Sequence, residues 1–195
     1  VQAHAESYIG LVEVGVGIVP GWGGCKELLA RLSDFELVEG GPMTPIMKTF
    51  EMIGTAKVAK SAEQARRMGF LRPSDRISMN RDRLIADAKT TLLALAEGYT
   101  PPEPHSYNLP GPSAKYALEM AVADLARSGQ ATPHDVVVTS ELAHILSGGD
   151  TNLLDSLTEE DILAMELAAI GKLARNEDSL ARMEHMVQKG KPLRN

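Results

Sequence analysis

The stretch Glu13-Val14-Gly15-Val16-Gly17-Ile18-Val19-Pro20-Gly21-Trp22-Gly23-Gly24-Cys25-Lys26-Glu27-Leu28 sets a lone carboxylate just ahead of a glycine-rich turn that opens a helix. Gly21, Gly23 and Gly24 carry no side chain where a backbone must approach a ligand closely. The start of a helix adds unpaired N–H groups and the positive end of a dipole. An anion or a polarised oxygen would be welcome in such a corner. A loop that only turns the chain would have the same spacing. Beyond it, Leu28, Leu29 and Leu32 recur at a helical period and leave Lys26 and Arg31 for water.

Outward from this corner the chain reads as helices joined by glycine and proline breaks. Residues 1–10 are strand-like, with Tyr8 and Ile9 before Gly10, and 11–19 mix β-branched residues with glycine in a close-packed connection. Gly40, Gly41, Pro42 and Pro45 interrupt the chain, and a helix over 45–55 places Ile46, Phe50 and Ile53 on one face. Ser61 is a good N-cap for 62–68 because Gln64 stands three residues on, as in a capping box, and Gly69 closes that helix. A short strand over 76–79 precedes a strong helix over 82–97, with Leu84, Ile85, Ala88, Leu92 and Leu95 on one face and Gly98 at its end.

Five prolines crowd the segment 99–113, which predicts an extended linker. Helices over 113–128 and 132–146 follow, Thr158 to Asp161 cap a third, and 179–188 form the last. Met165, Met183 and Met186 fall at spacings that pack a core. The expected architecture is mainly α with a few short strands (α+β), divided into 1–98, a proline-rich linker 99–112, and a helical region 113–195.

Composition removes several classes of function. A hydrophobic content of 44% supports a real core, and a net charge of −6 argues against nonspecific nucleic-acid binding, which needs a basic surface. No stretch of about twenty apolar residues could span a bilayer, and the start shows no leader pattern, so a soluble, cytoplasmic protein is expected. The single cysteine, Cys25, has no partner for a disulfide or a structural zinc, and its position suits a buried small hydrophobe. His4, His134, His144 and His185 lack the i, i+4 pairing of a helical zinc site, so no metal is expected, and no Gly-x-Gly-x-x-Gly follows a strand.

The run from Glu13 to Gly24 resembles the second half of the active site of the crotonase (enoyl-CoA hydratase/isomerase) superfamily: a Glu, a short apolar run, then Pro-Gly-x-Gly-Gly. Ser61-Ala62-Glu63-Gln64-Ala65-Arg66-Arg67-Met68-Gly69-Phe70-Leu71 is similar to that family's helix leading into a strand. The tail from Asp178 through Lys189-Gly190-Lys191-Pro192 is similar to its closing helix. More narrowly, the residues from His4 to Gly17 and the ending Gly190-Lys191-Pro192-Leu193-Arg194-Asn195 resemble the C-terminal portion of bacterial fusion enzymes. In those, an NAD-binding 3-hydroxyacyl-CoA dehydrogenase precedes a crotonase module.

The resemblance implies the C-terminal half of a crotonase-like fold plus an added helical region. It gives Glu13 the place of the second of two catalytic glutamates and Gly21 that of the glycine whose amide helps hold the attacking water, with Trp22 at a variable position. Lys189, Lys191 and Arg194 correspond to a basic tail that approaches the CoA phosphates, and they also read as a solvated terminus. The other glutamate, the oxyanion-hole glycines and most of the acyl-CoA pocket would lie upstream of Val1, so the chain is expected to begin in mid-fold.

Hydration of an α,β-unsaturated thioester needs a base for the attacking water, an acid for the α-carbon, and N–H groups aimed at the thioester oxygen. Glu13 is the acid/base candidate, with a solvated glutamate as the alternative, and Glu6 reads as surface. The expected function is therefore a fragment of a fatty-acid β-oxidation enzyme that hydrates 2-enoyl-CoA and oxidises 3-hydroxyacyl-CoA with NAD, inactive by itself. Its expected partners are an acyl-CoA thioester, the missing N-terminal part, and a further copy of the chain. An enoyl-CoA isomerase or other crotonase activity, and a non-catalytic helical docking module over 113–195, are the alternatives.

Overall fold

Ser61 shows how local chemistry sets the elements. In the computed structural model, which describes residues 1–34 and 41–195, Ser61 is extended (φ −158°, ψ 159°) and its hydroxyl accepts the Gln64 N–H. The Gln64 side chain reaches back past Ser61 to the Lys60 N–H at 2.8 Å, one residue earlier than in an ideal capping box. Gly69, in the left-handed region at φ +87°, ends the helix α3 (Ala62–Met68) as expected. With 58% helix and 6% strand the protein is mainly α.

The chain forms two compact units, each built from two separate stretches. In the first (Val1–Gly10 with Val58–Pro104), β1 (Gln2–His4) pairs in parallel with β4 (Arg76–Ser78), Ala3 opposite Ile77. There β2 (Ile9–Gly10) pairs antiparallel with β3 (Val58–Ala59). Ala3, Ala59, Ala62, Ala65, Phe70 and Leu71 form a small core.

The helix α4 (Leu84–Ala96) corrects one expectation: it buries no residue, and Ile85, Leu92, Leu93 and Leu95 are exposed. Its polar side faces the strands. Ser78 Oγ donates to Asp87 Oδ2 at 2.6 Å, and Thr91 Oγ1 donates to Gln2 Oε1 at 3.2 Å. Asp87 and Thr91 are one turn apart, so their anchoring turns Ile85, Leu92 and Leu93 away from the strands.

The second unit (Leu11–Lys57 with His105–Asn195) holds α1 (Gly24–Asp34), α2 (Met43–Gly54), α5 (Pro112–Arg127), α6 (Pro133–Ser147), α7 (Glu159–Leu173) and α8 (Glu177–Lys189). The Gly40 part of the break before α2 lies outside the described residues. The centre is α6, whose Val138, Leu142, Ala143, Ile145 and Leu146 are buried against α5, α2, α7 and α1. This pairing of early with late helices places the division elsewhere than the expected sequential boundaries at 98 and 113.

Part of the proline-rich segment also departs from a free linker. Residues 99–104 are exposed, but Tyr107 and Leu109 are buried, Tyr107 and Leu157 exchange backbone hydrogen bonds at 2.9 Å, and Gly111 N–H reaches Ser147 O at 2.8 Å. Two apolar side chains with satisfied backbone make this stretch a strap over the helices. Thr132 with Asp135, and Thr158 with Asp161, form full capping boxes that start α6 and α7. Met165, Met183 and Met186 are half-buried at the rim of the core rather than in it.

Candidate functional site

Glu13 opens a single 3-10 turn, Glu13–Val16, in the connection the sequence left irregular. Gly17 ends it in the left-handed region (φ +82°), its N–H on Val14 O at 3.1 Å, while Ile18 N–H reaches Glu13 O. The glycine is obligatory for a second reason: a Cβ there would lie 2.9 Å from the Ser179 Cα.

The Glu13 side chain is half-buried, and its Oε2 is fully enclosed with no hydrogen-bond partner. An enclosed carboxylate oxygen left unsatisfied costs about 1–3 kcal/mol, and in native proteins such a group marks strain, a bound water or ion, or a role in binding or catalysis. The charge of this carboxylate is felt at the Cys25 thiol in the first turn of α1. Burial raises the thiol's pKa most, and the negative charges of Glu166 and Glu13 raise it further. Cys25 is accordingly an inert, buried thiol.

The glycine corner is built as read, but most of its N–H groups are already used. Gly23 N–H donates to Glu166 Oε2 at 2.6 Å and Lys26 N–H to Glu166 Oε1 at 2.9 Å, with the Cys25 N–H also directed at this carboxylate. The expectation of a vacant anion seat at the start of α1 is thus corrected: α7 supplies the anion internally. Burial pushes the Glu166 carboxyl up, and the three N–H groups and the Lys26 charge oppose that push. Glu166 falls on the buried stripe of α7 with Ile162, Ala169 and Leu173, so an acidic residue on an otherwise apolar helical face was its one sequence signal.

What remains open is the Gly21 end. The Gly21 N–H meets no protein acceptor among the described residues, while its carbonyl accepts from Gly24 N–H. A Cβ at Gly21 would lie 2.3 Å from Ile170 Cδ1, so the backbone sits hard against α7. Trp22, next along, adopts φ +59° and projects fully into solvent.

Lys26 is buried under the strap. Burial works to lower its pKa, but Glu159 at 2.5 Å and Glu27 at 2.8 Å hold it above the ordinary lysine value. Tyr107, whose hydroxyl points at Lys26 O, is pushed up to about 12, chiefly by burial.

Two further polar side chains, not singled out from sequence, hold the Glu13 turn. Ser179 Oγ donates to Gly17 O at 2.6 Å and lies 2.8 Å from His134 Nε2. With the serine proton committed to Gly17, His134 donates through Nε2, leaving Nδ1 bare, buried, and 3.9 Å from Asp178 Oδ2. The serine, histidine and aspartate here are therefore not a nucleophilic triad, which needs the hydroxyl proton on the imidazole. Arg182, one turn beyond Ser179, reaches Val14 O at 3.4 Å, Asp135 Oδ1 at 2.8 Å and Thr132 Oγ1 at 2.9 Å.

Of the four residues that sequence reading singled out, Glu13 lies on the 3-10 turn and Gly21 in the corner that leads into α1. Lys189 and Lys191 are exposed at and just past the end of α8. Arg194 is engaged by Gln130 O and Asp135. Among the described residues the sheets are two-stranded, and no strand feeds a Gly-x-Gly-x-x-Gly turn. Also among the described residues, no helix is long and apolar enough to cross a membrane.

No family model matches the chain. It is similar to a probable 3-hydroxyacyl-CoA dehydrogenase of Bacillus subtilis (strain 168), at 41% identity over 197 aligned positions that take in the whole of this chain and 24% of that protein. The chain thus spans about a quarter of the length of the curated relative it matches.

Proposed function

We propose that this chain is the C-terminal part of a 3-hydroxyacyl-CoA dehydrogenase that also carries an enoyl-CoA hydratase module, acting on acyl-CoA thioesters in fatty-acid β-oxidation. The observation that carries the reading is the enclosed, unpartnered Oε2 of Glu13 on the 3-10 turn ahead of α1. The similarity to a probable 3-hydroxyacyl-CoA dehydrogenase supports the dehydrogenase half of the proposal.

In this reading Glu13 exchanges a proton with the water that adds to the enoyl double bond, and the unengaged Gly21 N–H orients that water. The second carboxylate and the donors for the thioester oxygen come from the rest of the protein, as does the NAD site. NAD, where bound, accepts hydride from the 3-hydroxyacyl product. Lys189 and Lys191 offer positive charge to the CoA phosphates. Without its counterparts the isolated chain has no turnover.

Unit 1 supports a covering partner. Two-stranded parallel sheets rarely stand alone, and Leu92 and Leu93 on the side of α4 away from the strands are exposed, as is expected where further strands and side chains of the same protein, or a second copy, complete the layer.

The test is crotonyl-CoA hydration by the intact gene product. Glu13→Gln is expected to lower kcat by about 10²–10⁴-fold, with no change in melting temperature. Unchanged turnover in that variant removes Glu13 from the chemistry and favours an isomerase or a docking role for the scaffold.

A further inference from the structure

The closing helix α8 aims polar side chains at two carbonyls of the Glu13 turn, one inside it at Val14 and one at Gly17, which ends it. Ser179 and Arg182, three residues apart on one face of α8, donate to Gly17 O (2.6 Å) and Val14 O (3.4 Å). Ser179 is fully buried, and Arg182 and His134 are 2% exposed, so these bonds are made away from water. Each donor is itself fixed from behind. His134 Nε2 meets the Ser179 hydroxyl at 2.8 Å, and Asp135, Thr132 and Asn195 hold the Arg182 guanidinium. Gly17 lies so close to Ser179 that no side chain fits between them.

A 3-10 turn of four residues has too few internal hydrogen bonds to keep one geometry unaided. We infer that His134, Ser179 and Arg182 are positioning residues that lock the Glu13 carboxylate in its enclosed orientation, so that helices α6 and α8 complete a catalytic site they do not touch. The inference rests on the assignment of Glu13 under the proposed function. It names residues beyond the glycine-rich signature, in a part of the chain that composition marks only as helical.

The experiment uses the intact gene product with crotonyl-CoA and follows kcat and KM separately. Ser179→Ala is expected to lower kcat by about 10²-fold, the scale of a displacement near 1 Å at a reacting group, with KM unchanged. His134→Gln, which keeps a donor toward Ser179, is expected to retain turnover, whereas His134→Leu loses it. If Ser179→Ala does not fold, the His134 pair decides.

A merely structural role is separated by a cycle: in the Glu13→Gln background Ser179→Ala should cost nothing further, because the group it positions is gone. Independent, additive losses in that cycle, or equal turnover in His134→Gln and His134→Leu, overturn the brace. If Glu13→Gln alone leaves turnover intact, the proposed function itself fails, and the brace falls with it for that separate reason.

Discussion

At the residue scale the decisive group is Glu166. Its two oxygens serve the Gly23 and Lys26 N–H groups from a position 1% exposed. Replacing it by Gln turns one acceptor into an NH₂ that faces an N–H, so Glu166→Gln is expected to destabilise the second unit by about 1–3 kcal/mol in urea unfolding. Equal stability would mean that the start of α1 caps itself.

His134 gives the second residue-scale expectation. Its pKa is held below the ordinary 6.5, first by burial and then by the Arg182 charge, against the weaker opposite pulls of Asp178 and Asp135. The folded state therefore favours the neutral ring. The stability this contributes is present above pH 6.5 and is lost as pH falls from there through the lower folded value. Unfolding free energies between about pH 7.5 and about pH 5 should fall less steeply in His134→Gln than in the parent; parallel curves would show that the histidine is not the sensor. Asp135 is shifted in the same direction and likewise loses stability as pH falls: burial works to raise its carboxyl, but the Thr132 N–H and the Arg182 guanidinium hold it below the usual range.

At the element scale, the start of α5 depends on Gly111. It adopts φ +64°, and a Cβ there would fall 1.8 Å from the Thr151 carbonyl oxygen, a backbone atom that cannot swing aside. Gly111→Ala is expected to cost at least about 2 kcal/mol, because backbone strain and a steric clash add. A melting temperature within error of the parent would show that the strap and the α6–α7 loop can separate. Gly21→Ala meets only the flexible end of Ile170 at 2.3 Å, so it should disturb the site more than the fold.

At the scale of the whole molecule the contrast is between α6 and α4. Leu142 is fully buried, and Leu142→Ala is expected to cost about 2–5 kcal/mol. Leu92 and Leu93 are 66% and 63% exposed, and their replacement by Ala in the isolated chain should change stability by less than about 0.5 kcal/mol. In the intact gene product the same α4 changes should be clearly destabilising. If they are neutral there too, nothing covers that face.

Sequence by itself determined what depends on neighbours along the chain. Ser61 with Gln64, Thr158 with Asp161, Gly69 as a helix end and the glycine corner after Pro20 were all legible, because a cap or a left-handed turn is decided within four or five residues. Tertiary structure alone decided which carboxylate sits on the α1 N–H groups, which side of α4 meets the strands, and which side chains hold the Glu13 turn. Each of these joins groups far apart in sequence, as Gly23 with Glu166 and Gly17 with Ser179. Periodicity can mark a face as apolar, but only the packed chain fixes whether that face finds a partner, because burial energy belongs to the pair of surfaces that meet and not to either one alone.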